Sequence, residues 1–232
     1  NIITTQNIVD SDDEGIEGTN VNNGLITNNK LNVVGNDGMK FTGGSNLTID
    51  GNTISGTDLK GLNLNSIAGL TVTGNTIYNT GNDGIEVNNS NGVVIDTNAI
   101  GLGGGANNIN GEGIDINNSA GTQVLNNIVQ NTVSNGISLN PSPGSVIQGN
   151  SIQNVGGDGI NVSGSNGTLI GGLLFGQGNT ISNAAGDGID VTGSDNVNIS
   201  GNGVFNSGLD GITVTDAAGL YIGSNTVNTT GV

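Results

Sequence analysis

Apolar residues fall one and three places after each of nine evenly spaced glycines, as in Ile85 and Val87, Ile114 and Ile116, Ile160 and Val162, Ile189 and Val191, Ile212 and Val214. The marker glycines are Gly15, Gly38, Gly61, Gly84, Gly113, Gly136, Gly159, Gly188 and Gly211, spaced 23 residues apart six times and 29 apart twice. Each long interval is the same unit with six residues added, at 101–106 and 171–176. Alternation with period two predicts a short strand after every marker. A second apolar stretch, centred on Ile26, Ile49, Val72, Ile95, Val124, Ile147, Ile170, Ile199 and Ile222, predicts a second strand. Eight places after each marker stands Gly or Asn, the residues that most readily take a left-handed backbone, which predicts one tight turn made nine times.

A third strand is marked by Leu31, Ile54, Ile77, Ile100, Val129, Ile152, Ile181, Val204 and Val227. Two residues before each is an Asn: Asn29, Asn52, Asn75, Asn98, Asn127, Asn150, Asn179, Asn202 and Asn225. Stacked coils would bring these amides about 4.8 Å apart, close enough to hydrogen-bond in an internal ladder. A looser second ladder is expected at Asn79, Asn108, Asn131, Asn154, Asn183 and Asn206.

Composition narrows the chemistry. The 232 residues include 44 Gly and only five aromatics, 2 Tyr and 3 Phe, too few large side chains for an ordinary globular core. Three Lys, no Arg and 19 acidic residues give a net charge of -16, which repels nucleic acid and anionic lipid. No apolar run is long enough for membrane insertion. The absence of Cys and His excludes disulfides and the usual zinc, copper and iron sites, leaving hard cations bound by oxygen.

The unit "DGIxV…G…xIxxNxI", seen as Asp83 to Val87 followed by Gly92, Ile95, Asn98 and Ile100, resembles the repeat of right-handed parallel β-helix proteins of pectate-lyase-like architecture. The resemblance covers the whole chain and implies an all-β right-handed solenoid of about nine to ten coils with three short strands per coil. It says little about activity, because the family spans polysaccharide lyases and hydrolases, epimerases, tailspikes, adhesins and surface-layer proteins. Its lyases use an Arg or Lys base, whereas this chain has only Lys30, Lys40 and Lys60, at three different positions of the repeat and read as isolated surface charges. Family members that need His or Arg are set aside by composition, and no catalytic residue is assigned. Two carboxylates suffice for inverting glycoside hydrolysis, so that chemistry stays open.

The residue before the marker Gly is usually acidic: Glu14, Asp37, Asp83, Glu112, Asp158, Asp187 and Asp210, interrupted by Lys60 and Asn135. A second acidic set lies three residues on, at Glu17, Glu86, Asp115 and Asp190. Two groups are densest, Asp83, Glu86, Glu112 and Asp115 in adjacent coils, and Asp158, Asp187, Asp190 and Asp210 in three consecutive ones. An Asp before Gly ordinarily caps its own corner by accepting backbone N–H bonds. Carboxylates stacked at about 4.8 Å repel one another, and calcium bridging them would turn that repulsion into a staple, so these eight residues are the candidate metal ligands. No organic cofactor is implied.

Leu173, Leu174 and Phe175, in the second insertion, are expected to pack over a coil, with a contact surface as the alternative. The chain reads as a single β-helix domain over 1–232, an excerpt or repeating stretch of a longer assembly. The leading function is an extracellular or cell-surface structural or adhesive solenoid, filament- or surface-layer-forming, that self-associates end to end or side by side. The alternative is a carbohydrate-active module that binds or hydrolyses polysaccharide.

Overall fold

A computed structural model describes residues 3–4, 8–32, 35–102 and 108–228, and the first insertion therefore lies largely outside the described residues. The described chain is all β, with 29 short strands and no helix. It winds as a right-handed solenoid of three parallel sheets. The first sheet holds nine strands, from Ile16–Asn22 to Ile212–Thr215, and the second and third hold ten each. Every strand pairs with its equivalent one coil away; Ile85 lies between Leu62 and Ile114, and Val72 between Ile49 and Ile95. The register is the same across the 23-residue steps and the two 29-residue steps, as Ile85 pairs with Leu62 on one side and Ile114 on the other.

The three predicted apolar files point inward. Ile26, Ile49, Val72, Ile77, Ile85, Val87, Ile100 and Ile116 are all 0% exposed, and the same holds through Ile199 and Val204. With each such side chain contributing about 1.5–3 kcal/mol on burial, this stack supplies the stability that a chain so poor in aromatics otherwise lacks. The marker glycine is required by contact: a Cβ on Gly84 would stand 2.6 Å from the Gly113 carbonyl oxygen and 2.6 Å from Ile100 Cγ2. The next coil therefore seats directly on each marker.

All nine predicted turn residues are left-handed, from Asn23 at φ 54° to Gly219 at φ 67°. The asparagine ladder is continuous. Each Nδ2 from Asn29 to Asn202 donates to Oδ1 of the ladder Asn in the next coil at 2.9–3.0 Å. The same oxygen also takes the backbone N–H of the residue before it in the file, as Asn127 Oδ1 takes Asn98 N at 2.9 Å. The remaining amide hydrogen reaches a strand carbonyl of the preceding coil, Ile95 in the case of Asn127.

The second asparagine file differs from expectation. Asn79, Asn131, Asn154, Asn183 and Asn206 are themselves left-handed, at φ 54–57°, so their first role is to turn the chain. Side-chain bonds along this file are partial: Asn183 donates to Asn154 at 2.9 Å, while Asn108 turns aside to the Gly101 carbonyl. A second true internal ladder is built of serine. Ser90, Ser119, Ser142, Ser165 and Ser194 are buried, and each Oγ accepts the backbone N–H one coil back at 2.8–3.0 Å.

The second insertion does not pack over a coil. Leu173, Leu174 and Phe175 are 66%, 72% and 107% exposed. A pair of local bonds, Leu174 N to Gln177 Oε1 and Gln177 N to the Leu174 carbonyl, both 3.1 Å, closes a tight turn that stands beside the sheet and leaves the three side chains largely exposed.

Candidate functional site

The first sheet presents an outward file in unbroken register: Glu17, Lys40, Asn63, Glu86, Asp115, Ser138, Asn161, Asp190 and Thr213. Alternation puts these side chains opposite the buried Ile and Val of the same strands, so they form the outer face. Beside them, just before each strand, runs the file of pre-glycine residues. Its acids cap the neighbouring coil rather than their own corner. Asp37 Oδ1 accepts Lys60 N at 3.0 Å, Asp83 accepts Glu112 N at 2.9 Å, Asp158 accepts Asp187 N at 2.8 Å, and Asp187 accepts Asp210 N at 2.7 Å. Asn135 does the same for Asp158 N at 2.7 Å, which explains why an amide can interrupt the acidic run.

Where the two files meet, Asp83, Glu86 and Asp115 each offer a carboxylate oxygen within 4.8 Å of the other two, and among the described residues no other trio does so. Asp83 is buried and the other two are half-buried. Burial, then the nearby Glu112 and Glu86 charges, pushes the Asp83 carboxyl up to about 7. Burial, with Asp83 and Glu86 adding to it, pushes Asp115 up to about 6 against the bonds from Asn117 and Asn140. Glu86 is held by Lys60 Nζ at 2.8 Å. Burial, the largest single influence, lowers the Lys60 ammonium, but its bond to Glu86 and the charges of Glu86, Asp37 and Asp83 together outweigh this and the group is raised.

Glu112 gives its backbone N–H to Asp83 and stands outside the trio. Asp158, Asp187, Asp190 and Asp210 are spread along the file, with Asn161 donating to Asp158 at 3.3 Å and to Asp190 at 3.2 Å. Asp190 is raised, chiefly by burial and then by Asp158 and Asp187. Two of the three lysines are not isolated: Lys40 pairs with Glu14 at 2.8 Å as Lys60 does with Glu86, each 26 residues away and one coil over, while Lys30 is exposed. The sequence showed both signs of charge but not this diagonal, which depends on how far a lysine reaches across the rungs.

Two ligands of one calcium, bonded at about 2.4 Å, lie at most about 5 Å apart, so the trio has the span of half a calcium shell. Protonated, Asp83 is a carboxyl that keeps its proton to near neutrality. Deprotonated, the three carry more negative charge than Lys60 offsets and can hold a hard cation.

The chain belongs to the right-handed beta helix region family, whose model matches residues 1–109 and 71–227. No curated protein sequence matches it. Among solved structures, it is similar to the A-module of the Azotobacter vinelandii mannuronan C-5 epimerase AlgE4 at 16% identity and a TM-score of 0.59, over 94% of this chain and 78% of that one. A mutant of the periplasmic alginate epimerase AlgG matches at 16% identity with a TM-score of 0.68, over 97% of this chain and 73% of that one. The catalytic unit of an α-1,3-glucanase from Streptomyces thermodiastaticus matches at 17% identity and 0.54, over 93% of this chain and 51% of that one. At these identities the likeness is one of fold.

Proposed function

We propose that the chain is an extracellular or cell-surface β-solenoid that engages polysaccharide along the outward face of its first sheet, in a structural or adhesive role, with calcium at Asp83, Glu86 and Asp115. The observation that carries this reading is the unbroken outward file, a straight row of amides, hydroxyls and carboxylates with one carboxylate trio in its midst. Nine rungs about 4.8 Å apart make a polar track of roughly 40 Å, long enough to lie beside several sugar units. The similar structures, a mannuronan epimerase, an alginate epimerase and an α-1,3-glucanase, support the same ligand class. Hydrolysis by Asp83 with a neighbouring carboxylate is the second reading, favoured by the proton that Asp83 keeps.

The same reading includes association of copies end to end or side by side, since any further coil would continue the 23-residue register; sedimentation and negative-stain images at micromolar protein test it. For the polysaccharide, co-sedimentation with a panel of insoluble and gelled glycans, with calcium and with chelator, is the test. Retention that calcium strengthens, and that the double variant Glu86→Gln, Asp115→Asn loses, is expected. Retention indifferent to calcium and to both changes would remove the trio from the function.

A further inference from the structure

The second sheet carries a different outward file, and its last rungs change character. Leu169, Asn198 and Tyr221 lie side by side in register. The exposed loop leaves this sheet just after Gly171 and returns at Gln177, so that it forms a wall along these rungs. Between wall and sheet is an open groove of about 460 Å³, in the range of small-molecule sites, with Gln148, Leu169, Leu174, Gln177, Asn198 and Tyr221 on its sides.

Four features of the groove point to one kind of ligand. Tyr221 lies flat on its own strand, because a Cβ on Gly223 would stand 2.6 Å from the tyrosine Cζ; the ring's other face is open, and the residue is 51% exposed. Asn198 is half-buried beside Tyr221 on the neighbouring rung and sets a polar amide in the wall of the groove. The wall is braced before any ligand arrives, Gln148 Nε2 donating to the Gly171 carbonyl at 2.8 Å and Gln177 Oε1 taking Leu174 N at 3.1 Å. No residue lining the groove is charged, in a chain whose net charge is -16.

We propose that this groove is a binding site for a neutral saccharide. One sugar ring stacks its C–H face on Tyr221, and the Asn198, Gln148 and Gln177 amides meet its hydroxyls while Leu174 covers the edge. A purely apolar occupant would cover these amides without giving them hydrogen-bond partners. A uronate would meet no cation, because Lys30, Lys40 and Lys60 all lie in early coils, far from this groove. The site is on a different sheet from the acidic trio and does not rest on the function proposed there.

The chain has 2 Tyr and no Trp, so its ultraviolet emission reports on Tyr221 against a background of Tyr78 alone. The probes are maltohexaose, cellohexaose, laminarihexaose and an N-acetylglucosamine hexamer, with hexaguluronate as the charged control. At least one neutral probe is expected to change the emission saturably below about 10 mM, and hexaguluronate to leave it unchanged. By calorimetry, Tyr221→Ala should weaken binding at least about tenfold while Tyr221→Phe, which keeps the ring, stays within about threefold. Asn198→Leu should weaken it about fivefold or more. All of these measurements are made in the Glu86→Gln, Asp115→Asn background, which disables the polar track and so separates the two sites. Circular dichroism melts of each variant confirm that the solenoid persists. The proposal is overturned if no neutral probe binds at about 10 mM, or if binding survives Tyr221→Ala. A self-association abolished by Leu174→Ser, in the absence of saccharide binding, would overturn it in favour of a second copy of the chain.

Discussion

Asn127 makes four kinds of bond at once: its oxygen holds Asn98 by main chain and side chain, and its amide holds Asn150 and the Ile95 carbonyl. Asn127→Ala strands all of these inside a 0% exposed site and should destabilise by about 1–3 kcal/mol, read as a shift in the denaturation midpoint at constant slope. Thr97 offers the opposite test. It occupies the corner before a ladder Asn at φ 57°, where other coils use Asn28, Gly51, Gly74, Asn126 and Gly149. A β-branched residue is strained there, and its hydroxyl bonds only the adjacent Asp96 carbonyl. Thr97→Asn should therefore stabilise by about 0.5–1 kcal/mol in the same measurement. The asparagine ladder was legible because a buried amide at every rung has no other good explanation. The serine ladder recurs six places after the marker in five consecutive units, Ser90, Ser119, Ser142, Ser165 and Ser194, yet Ser is common on surfaces and only that recurrence marks it as internal.

Single strands here are three to seven residues long for the most part, and what they do depends on neighbours 23 residues away. That is why strand positions could be read from alternation while the bonds of the acidic file could not: an Asp before Gly looks like the cap of its own corner, whereas Asp83 and Asp187 reach the next coil. The loop of Leu173 to Phe175 was misjudged for a related reason. Three apolar residues suggest cover, but the Leu174–Gln177 turn fixes their direction. The trio at the edge of the first sheet gives a pH prediction. Asp83 and Asp115 rise from an ordinary 3.8 to about 7 and about 6 in the folded state, so the native protein holds more protons than the unfolded chain between about pH 4 and 7. Stability therefore falls as pH rises through that window. Glu14, held down from 4.5 to about 2 chiefly by its bond to Lys40, acts in the opposite sense between about pH 2 and 4.5 and meets only the foot of that window. In chelator, melting temperature should climb as pH is lowered from about 7.5 to 4.5; millimolar calcium should raise it at the upper end and flatten the slope, because the ion takes the proton's place. Asp83→Asn should flatten it without calcium. A slope unchanged by both would mean that diffuse charge repulsion, not the trio, sets the pH response.

The whole molecule is a one-dimensional stack in which each coil touches only the coils beside it, so its stability is a sum of coil and junction terms. In the middle, Ile116 is 0% exposed and packed from both sides; in the last described coil, Ile222 is 47% and Val227 46% exposed. Removing side-chain volume should follow that gradient. Ile116→Ala leaves a cavity between two filled coils and should cost about 2–5 kcal/mol, whereas Val227→Ala removes atoms already half in water and should cost under about 1 kcal/mol. Amide exchange adds the spatial readout. If the stack unfolds by units, Ile116→Ala speeds exchange most in the strands around Ile85–Asn88, Ile114–Asn117 and Ile137–Asn140, while Tyr221–Gly223 and Thr226–Asn228 exchange fastest in both proteins. The alternative is full cooperativity, expected if the two ladders couple every rung to every other. Uniform acceleration from Ile16 to Asn228 on Ile116→Ala would establish that and sink the nearest-neighbour account.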